Sequence, residues 1–221
     1  MKREIILTKD GSHTLFVPAL NEHYHSIHGA IQESKHVFIK EGLSYCQKKN
    51  ITVFEIGFGT GLNALLALLE SFKYDIRIYY HTIDNYPLDI KIINQLNYPE
   101  ILKLSGKERK LFFYMHNAEW NKELELHNNF RFTKIRKDIT EFYIPFKYDL
   151  VFFDAFAPDK QPEMWDKEIF QKIYDNLAPG GILITYCAKG QVKRTLGSVG
   201  FIVESVQGPP GKREIIRARK L

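Results

Sequence analysis

With 221 residues, 44% of them hydrophobic and 14% aromatic, the chain is long enough for one well-filled core and has an ordinary globular composition. The formal net charge of +5 tolerates a polyanionic partner without requiring one, and the two cysteines are too few for a disulfide framework or a zinc cluster. No apolar run reaches the roughly 18 residues of a membrane span, and no signal-peptide core begins the chain, so we expect a cytoplasmic protein with no membrane partner.

Residues 1–50 precede the first central strand and are expected to form an N-terminal extension that packs on the core. Residues 5–7 and 14–17 predict the two strands of a hairpin, with Asp10-Gly11 at its turn. The extension also carries a metal-like cluster of four histidines, His23, His25, His28 and His36. Because no carboxylate or cysteine completes a recognisable ligand set there, we predict no metal site.

From residue 51 onward, strand-like and helix-like patterns alternate. Strands are predicted at 51–57, 76–84, 130–138, 148–154, 181–187, 200–206 and 213–220, and helices at 62–72, 166–177 and 189–199. This alternation predicts an α/β domain over residues 51–221, with a doubly wound, mainly parallel sheet of seven strands. The last two strands follow each other without a helix, so one of them should be antiparallel to its neighbours. Residues 86–129 form an insertion of helical and polar character, which we expect to cover the crevice at the carboxyl ends of the strands.

A glycine-rich turn joins the first central strand to the first helix. Its spacing is E-x-G-x-G-x-G rather than the G-x-G-x-x-G of dinucleotide binding. Glycines at this place let the backbone turn tightly and approach a ligand, and the helix N-terminus offers free N–H donors. The pattern favours S-adenosylmethionine and a Rossmann-like fold of the class I methyltransferase type, with a NAD(P) fold and a purely structural turn as alternatives. The cofactor-binding residues predicted in this turn are Glu55, Gly57, Phe58, Gly59, Gly61 and Asn63.

Two acidic residues end the next central strands and are predicted to bind the nucleoside part of the cofactor. Asp84, followed by Asn85, is placed to accept from two ribose hydroxyls, with a simple N-cap as the alternative. Asp138, followed by Ile139, is placed to accept from the adenine amino group, unless it only caps residues 140–143.

Four segments resemble one family when taken together: GFGTGLN (57–63), DAFAPDKQPEMW (154–165), TYCAKGQVKRTL (185–196) and GPPGKREII (208–216). The family is the methyltransferase domain of the bacterial tRNA-modifying enzyme MnmC, with its stand-alone form MnmD, and NEHYHSIHGAIQESKHVFI (21–39) is similar to its N-terminal segment. The resemblance implies transfer of the methyl group of S-adenosylmethionine to the primary amine of 5-aminomethyl-2-thiouridine at the tRNA wobble position, giving 5-methylaminomethyl-2-thiouridine. By resemblance alone, Tyr24 and Glu33 help to close the cofactor pocket.

Bifunctional members of this family carry a flavin-dependent oxidoreductase domain that prepares the amine, and the sequence ends at Leu221 without one. We therefore expect the amine to be supplied by upstream modification enzymes or by a separate oxidoreductase. Two alternatives remain open, namely a methyltransferase for another amine and a non-catalytic tRNA-binding module with a degenerate cofactor site. A NAD-linked dehydrogenase is disfavoured by the glycine spacing.

Asp154, at the end of an apolar strand, is the predicted catalytic residue. An aliphatic ammonium with a pKa of about 10 is mostly protonated at neutral pH, so the enzyme must select or generate the free amine. The carboxylate can hold this ammonium and align it. With an ordinary pKa it is only a weak base, so positioning is favoured over proton acceptance. A loop or helix cap is the alternative.

The predicted substrate-binding residues are of two kinds. Phe156 and Trp165 are predicted either to stack on the wobble base or to contact the sulfonium by a cation–π interaction, with a place in the core as the alternative. Pro158 is predicted to stiffen their loop. Basic residues offer contacts to tRNA phosphates, unless they lie on solvated faces, and the segments 131–137 and 212–220 are locally basic. The residues predicted to contact phosphates are Lys189, Lys193, Arg194, Lys212 and Arg213.

Overall fold

The computed structural model describes residues 2–221 and contains, within them, eleven strands in two sheets. The first three strands form a small antiparallel sheet, and the other eight form the central sheet. The strands are β1 Glu4–Leu7, β2 His13–Val17, β3 Glu22–His23, β4 Asn50–Ile56, β5 Arg77–Ile83, β6 Glu123–His127, β7 Phe130–Ile135, β8 Tyr148–Phe153, β9 Leu177–Thr185, β10 Ile202–Gln207 and β11 Glu214–Arg219.

The central sheet has the order β10-β11-β9-β8-β4-β5-β7-β6. Its five middle strands, from β9 to β7, are parallel, and β11 is antiparallel to both of its neighbours, as predicted for the end of the chain. The predicted doubly wound, mainly parallel α/β fold is thus confirmed, but the sheet has eight strands rather than seven. The additional strand, β6, lies in the predicted insertion and pairs antiparallel with β7 at the edge of the sheet. Its ELELH pattern alternates polar and apolar residues, as is typical of a half-buried strand, but the prediction assigned these residues to an insertion of helical and polar character.

The helices cover both faces of this sheet. Along β8, Leu150 and Phe152 enter the core on one face, and Val151 and Phe153 enter the core on the other. Because successive strand residues point to opposite faces, a strand buried on both sides is apolar throughout. The helices are α1 Ala30–Ser34, α2 Leu62–Tyr74, α3 Ile90–Ile93, α4 Tyr98–Ile101, α5 Gly106–Asn117, α6 Lys167–Asn176 and α7 Gly190–Ser198, with a π-helical segment Lys35–Leu43 and 3₁₀ turns at Ser44–Cys46 and Pro162–Trp165.

The N-terminal region contributes a hairpin and a helix to this architecture. β1 pairs with β2 from Glu4 opposite Phe16 to Leu7 opposite His13, which confirms the predicted hairpin. The π-helical segment that continues α1 packs on the same sheet face as α2, and Gly42 allows its close approach to Phe152 and Ile184. None of the helices in residues 2–221 combines the length and the apolar character needed to cross a membrane.

Candidate active site

A cavity of about 490 Å³ opens at the carboxyl ends of the parallel strands β4, β5, β7 and β8. Its volume lies within the range of about 300–1,000 Å³ that is typical of small-molecule sites. Residues of the N-terminal region, from Glu22 to Ile27, also line it. The cavity is therefore placed where ligands bind in open α/β sheets, and the N-terminal region forms part of its wall.

The glycine turn after β4 brings two strand ends together. Gly57 has φ +93°, and a Cβ atom there would lie 2.8 Å from the backbone oxygen of Asp154. Gly59 has φ +49° and faces the ring of Tyr24, which also lines the cavity. Glycine at these positions allows a close approach between the glycine turn, the end of β8 and the N-terminal region.

Two residues of the predicted glycine motif do not line the cavity. Glu55 is fully buried, because the alternation along β4 places it on the same sheet face as Ile51 and Val53. Burial, reinforced by the nearby charge of Asp154, raises the pKa of Glu55 to about 8, so this carboxyl is mostly protonated at pH 7. Gly61 faces the ring of His116 rather than the cavity. The prediction of direct cofactor contact is therefore corrected for Glu55 and Gly61, while Phe58 and Asn63 do line the cavity.

The carboxylate of Asp84 lies at the cavity wall after β5. It accepts hydrogen bonds from the backbone nitrogens of Gly59, at 3.0 Å, and Tyr86, at 2.7 Å. Burial raises the pKa of Asp84, while these two hydrogen bonds lower it. The acid thus ties the glycine turn to β5 and still faces the cavity, where its remaining lone pairs suit hydroxyl donors.

Asp138 lies on the neighbouring part of the cavity wall, after β7. Its Oδ1 atom accepts from the backbone nitrogen and the hydroxyl of Thr140, and these hydrogen bonds lower the pKa of Asp138. The Oδ2 atom accepts from the side-chain amide of Asn85 at 3.1 Å. Asp138 therefore performs the local capping that the sequence left open, and it also lines the cavity with Asn85 and Ile139.

Asp154 faces the cavity from the end of β8. Its backbone nitrogen donates to the oxygen of Ile56 at 3.1 Å, and its Oδ2 atom accepts from the side-chain amide of Asn63 at 2.8 Å. The enclosed surroundings raise the pKa of Asp154 to about 7, although the Asn63 hydrogen bond lowers it. At neutral pH both the protonated and the ionised forms of this acid are therefore populated, which the sequence did not predict.

Glu33 and Lys212 form an ion pair on the cavity wall. The Nζ atom of Lys212 lies 2.5 Å from Oε1 of Glu33 and 4.1 Å from the ring centroid of Tyr186, and the Tyr186 hydroxyl donates to the oxygen of Ala155 at 2.9 Å. Glu33, 7% exposed, also accepts from the backbone nitrogen of Ser26 at 2.7 Å. Lys212 thus has an ionic partner on the cavity wall, and its contact with a tRNA phosphate stays a prediction.

The two predicted stacking aromatics have different surroundings. Phe156 lines the cavity and meets Tyr24 edge-to-face with ring centroids 5.0 Å apart. Trp165 is 6% exposed and packs against Phe153 and Phe170, and its indole nitrogen donates to the oxygen of Phe156 at 2.8 Å. Trp165 therefore belongs to the core, which is the alternative to substrate contact that the sequence left open. Pro158 also lies outside the cavity lining.

The remaining basic residues predicted to bind phosphate do not line the cavity. Lys189 pairs with Asp159, and Lys193 pairs with Glu214 at 2.7 Å. Arg194 and Arg213 are exposed. Ion pairs with residues distant in the sequence thus engage two of these side chains, which sequence spacing alone does not reveal.

Several cavity residues were missed by sequence reasoning. Lys137 lines the cavity and belongs to the locally basic segment 131–137, from which no individual residue is predicted to bind a ligand. Gln161 lines the cavity and accepts from the backbone nitrogen of Phe156 at 3.1 Å, which orders the loop after β8. The other missed lining residues include Tyr86, Met164 and Tyr186. Among residues 2–221, no three histidine, cysteine or acidic side chains come together as a metal site.

The site suits the nucleoside part of a cofactor such as S-adenosylmethionine. The glycine turn approaches the cavity with positive φ at Gly57 and Gly59, and the carboxylate of Asp84 stands one strand away, as a ribose requires. The fold and site together define a Rossmann-like methyltransferase. Residues 107–221 match the model of a family described as S-adenosyl-L-methionine-dependent methyltransferase, and the chain belongs to this family, which confirms the predicted cofactor and enzyme class.

Two bacterial proteins are similar in sequence to most of this chain. The tRNA 5-methylaminomethyl-2-thiouridine biosynthesis bifunctional protein MnmC of Leptospira interrogans is 30% identical over 206 residues, which cover 87% of this chain and 32% of the relative. The protein of the same name from Pseudomonas fluorescens is 28% identical over 212 residues, which cover 90% of this chain and 32% of that protein. The chain thus spans about a third of the length of these curated relatives.

Solved structures agree with the family assignment. The crystal structure of MNMC2 from Aquifex aeolicus superposes with a TM-score of 0.79 at 28% identity, covering 98% of this chain and 69% of that one. A methyltransferase from Pyrococcus furiosus shares the fold with a TM-score of 0.51 at 17% identity, covering 92% and 90%.

Proposed function

We propose that this enzyme transfers the methyl group of S-adenosylmethionine to the primary amine of 5-aminomethyl-2-thiouridine at position 34 of tRNA, giving 5-methylaminomethyl-2-thiouridine. The observation that carries the proposal is a carboxylate with a pKa near 7, Asp154, held at the cavity beside the cofactor turn. The names of the relatives and their similarity over most of this chain support the tRNA substrate. Action on tRNA also favours a cytoplasmic location.

The pKa of Asp154 bears directly on amine chemistry. When bound, S-adenosylmethionine supplies an electrophilic methyl group. A protonated primary amine has a pKa of about 10, so moving its proton to a carboxylate with an ordinary pKa near 4 is unfavourable by roughly 8 kcal/mol. With Asp154 near 7, the same proton transfer is unfavourable by only roughly 4 kcal/mol. Asp154 is thus suited both to attract the ammonium and to accept its proton.

We assign the other cavity residues by their surroundings. Asp84 and Asn85 would hold the ribose hydroxyls, and Asp138 and Ile139 would hold the adenine. The turn from Gly57 to Gly59, together with Asn63, would hold the amino-acid part of the cofactor. Tyr24 and Glu33 would close the pocket, and Phe156 would contact the wobble base. The exposed basic residues Lys137, Arg194 and Arg213 are the candidates for phosphate contacts.

The aminomethyl group must come from a preceding modification reaction, which upstream enzymes or a separate oxidoreductase would perform. An alternative acceptor is a different primary amine, for which the same cavity and the same acid are suited. The two candidates differ in whether methyl transfer requires RNA.

The test is methyl transfer by the purified protein to tRNA that carries the aminomethyl wobble nucleoside, followed by nucleoside mass analysis. We expect 5-methylaminomethyl-2-thiouridine to form on this tRNA and no methyl incorporation into an unmodified transcript of the same sequence. Asp154→Asn should lower the rate by about 10²- to 10⁴-fold while its affinity for S-adenosylhomocysteine stays within about threefold. Methylation of free amines without RNA, or an unchanged wobble nucleoside, would reject the proposal.

A further inference from the structure

One side chain of the insertion, residues 86–129, contacts the glycine turn at several points. His116, in the last turn of α5, has its Nε2 atom 3.2 Å from the backbone oxygen of Thr60. Its ring lies 4.9 Å from the ring of Phe58, and a Cβ atom on Gly61 would lie 2.6 Å from its Nε2. The ring of His116 thus contacts three of the residues that shape the turn between β4 and α2.

The protonation state of His116 determines which atom donates in its hydrogen bond with Thr60. Burial, reinforced by the charge of Lys134, lowers the pKa of His116 to about 3, so the imidazole is neutral at physiological pH. Since the oxygen of Thr60 can only accept, the neutral ring must carry its proton on Nε2 and donate it. The donor is therefore present throughout the pH range in which the enzyme works.

Lys134 fixes the end of α5 that carries His116. Its Nζ atom donates to the backbone oxygen of His116 at 2.6 Å and lies 4.6 Å from the ring centroid of Trp120. A cation suits this position, because the last carbonyls of a helix have no intrahelical donors. Lys134 is only 1% exposed, and burial lowers its pKa to about 8. A lysine from the basic segment 131–137 thus points inward from β7 and anchors the insertion.

We propose that His116 is a positioning residue for the cofactor, which holds the glycine turn in its binding conformation by donating to Thr60, with Lys134 fixing His116 in place. Gly57, Gly59 and Gly61 all have positive φ, and a glycine-rich turn is free to adopt many other conformations. Holding the turn before the cofactor arrives removes the ordering cost from binding. A residue of the insertion thereby contributes to cofactor affinity. This inference depends on S-adenosylmethionine as cofactor and not on the tRNA substrate.

The test is calorimetric affinity for S-adenosylhomocysteine, measured without RNA. His116→Phe keeps a ring but removes the donor, and it should weaken binding by about tenfold, the upper range for one neutral hydrogen bond. His116→Gln places an amide nitrogen near the position of Nε2 and should retain most of the affinity. Tyr114→Phe, on the exposed face of the same helix, is the matched control and should bind as the wild type does.

Further variants keep the test decisive. If His116→Phe does not fold, His116→Asn replaces it, because its shorter amide cannot reach Thr60 and should show the same loss. Lys134→Met should lower the affinity in the same direction by a smaller factor. Wild-type affinity in a donor-free variant, or an equal loss in His116→Gln and His116→Phe, would overturn the inference, the second by assigning the effect to packing.

Discussion

The side-chain amide of Asn63 donates a hydrogen bond of 2.8 Å to Oδ2 of Asp154. Asn63 is the second residue of α2, directly after the glycine turn, and Asp154 directly follows β8. The hydrogen bond therefore connects the turn assigned to the cofactor with the acid assigned to the amine. It favours the ionised form of Asp154, whereas the enclosed position favours the protonated form, and the second effect is the larger.

The rate of methyl transfer should rise with pH around the pKa of Asp154. Because the enclosed site raises this pKa to about 7, the ionised acid that can accept a proton accumulates only as the pH passes this value. We expect single-turnover rates with saturating tRNA to increase up to about pH 7 and then to stay level. If the enzyme instead selects the free amine, the rate should keep rising toward pH 10, where the substrate itself loses its proton.

Asn63→Ala should move this transition to higher pH. Removing the donor withdraws the interaction that favours the ionised form of Asp154, and a hydrogen bond to a charged group corresponds to about one pKa unit or more. The same pH–rate measurement checks the shift, with the exposed Asn117 of α5 replaced by Ala (Asn117→Ala) as a control that should leave the midpoint unchanged. A midpoint that stays near pH 7 would mean that Asn63 does not set the ionisation of Asp154.

Glu55→Gln should stabilise the protein at pH 8 but not at pH 4. Burial raises the pKa of Glu55 in the folded state to about 8, while the unfolded chain releases this proton near its ordinary value of 4.5. Folding of the wild type therefore becomes less favourable as the pH rises between these values. The neutral glutamine avoids this loss, and each kcal/mol gained should raise Tm by about 2–4 °C. Thermal unfolding at both pH values checks this, and exposed Glu119→Gln should show no comparable pH-dependent gain.

Trp165→Ala should lower stability rather than substrate affinity. The indole is buried against Phe153 and Phe170, so its truncation should decrease the free energy of unfolding by about 3–5 kcal/mol. Trp165→Phe should cost less and leave KM for tRNA unchanged. Denaturant unfolding and steady-state kinetics measure the two effects separately. A large rise in KM for tRNA in Trp165→Phe, without a loss of stability, would show instead that Trp165 contributes to substrate binding.

Much of the candidate site could be predicted because parallel strands bring their carboxyl ends to one edge of a sheet. Asp84, Asp138 and Asp154 each follow a strand recognisable from its apolar pattern, and all three line one cavity. The extra edge strand β6 was not predicted, although its residues alternate polar and apolar as a half-buried strand does, because the pattern is only five residues long and lies in a segment that was assigned to a helical and polar insertion.

The sequence by itself determined the α/β alternation, the glycine turn and the acids at the strand ends, because these depend on local patterns along the chain. Only the tertiary structure decided which way individual side chains point and what they meet. Lys212 pairs with Glu33 across 179 positions of the sequence, Trp165 enters the core, and Glu55 is buried away from the cavity lining. The pKa of Asp154 belongs to the same class of property, because the burial that raises it comes from segments that meet only in the folded protein.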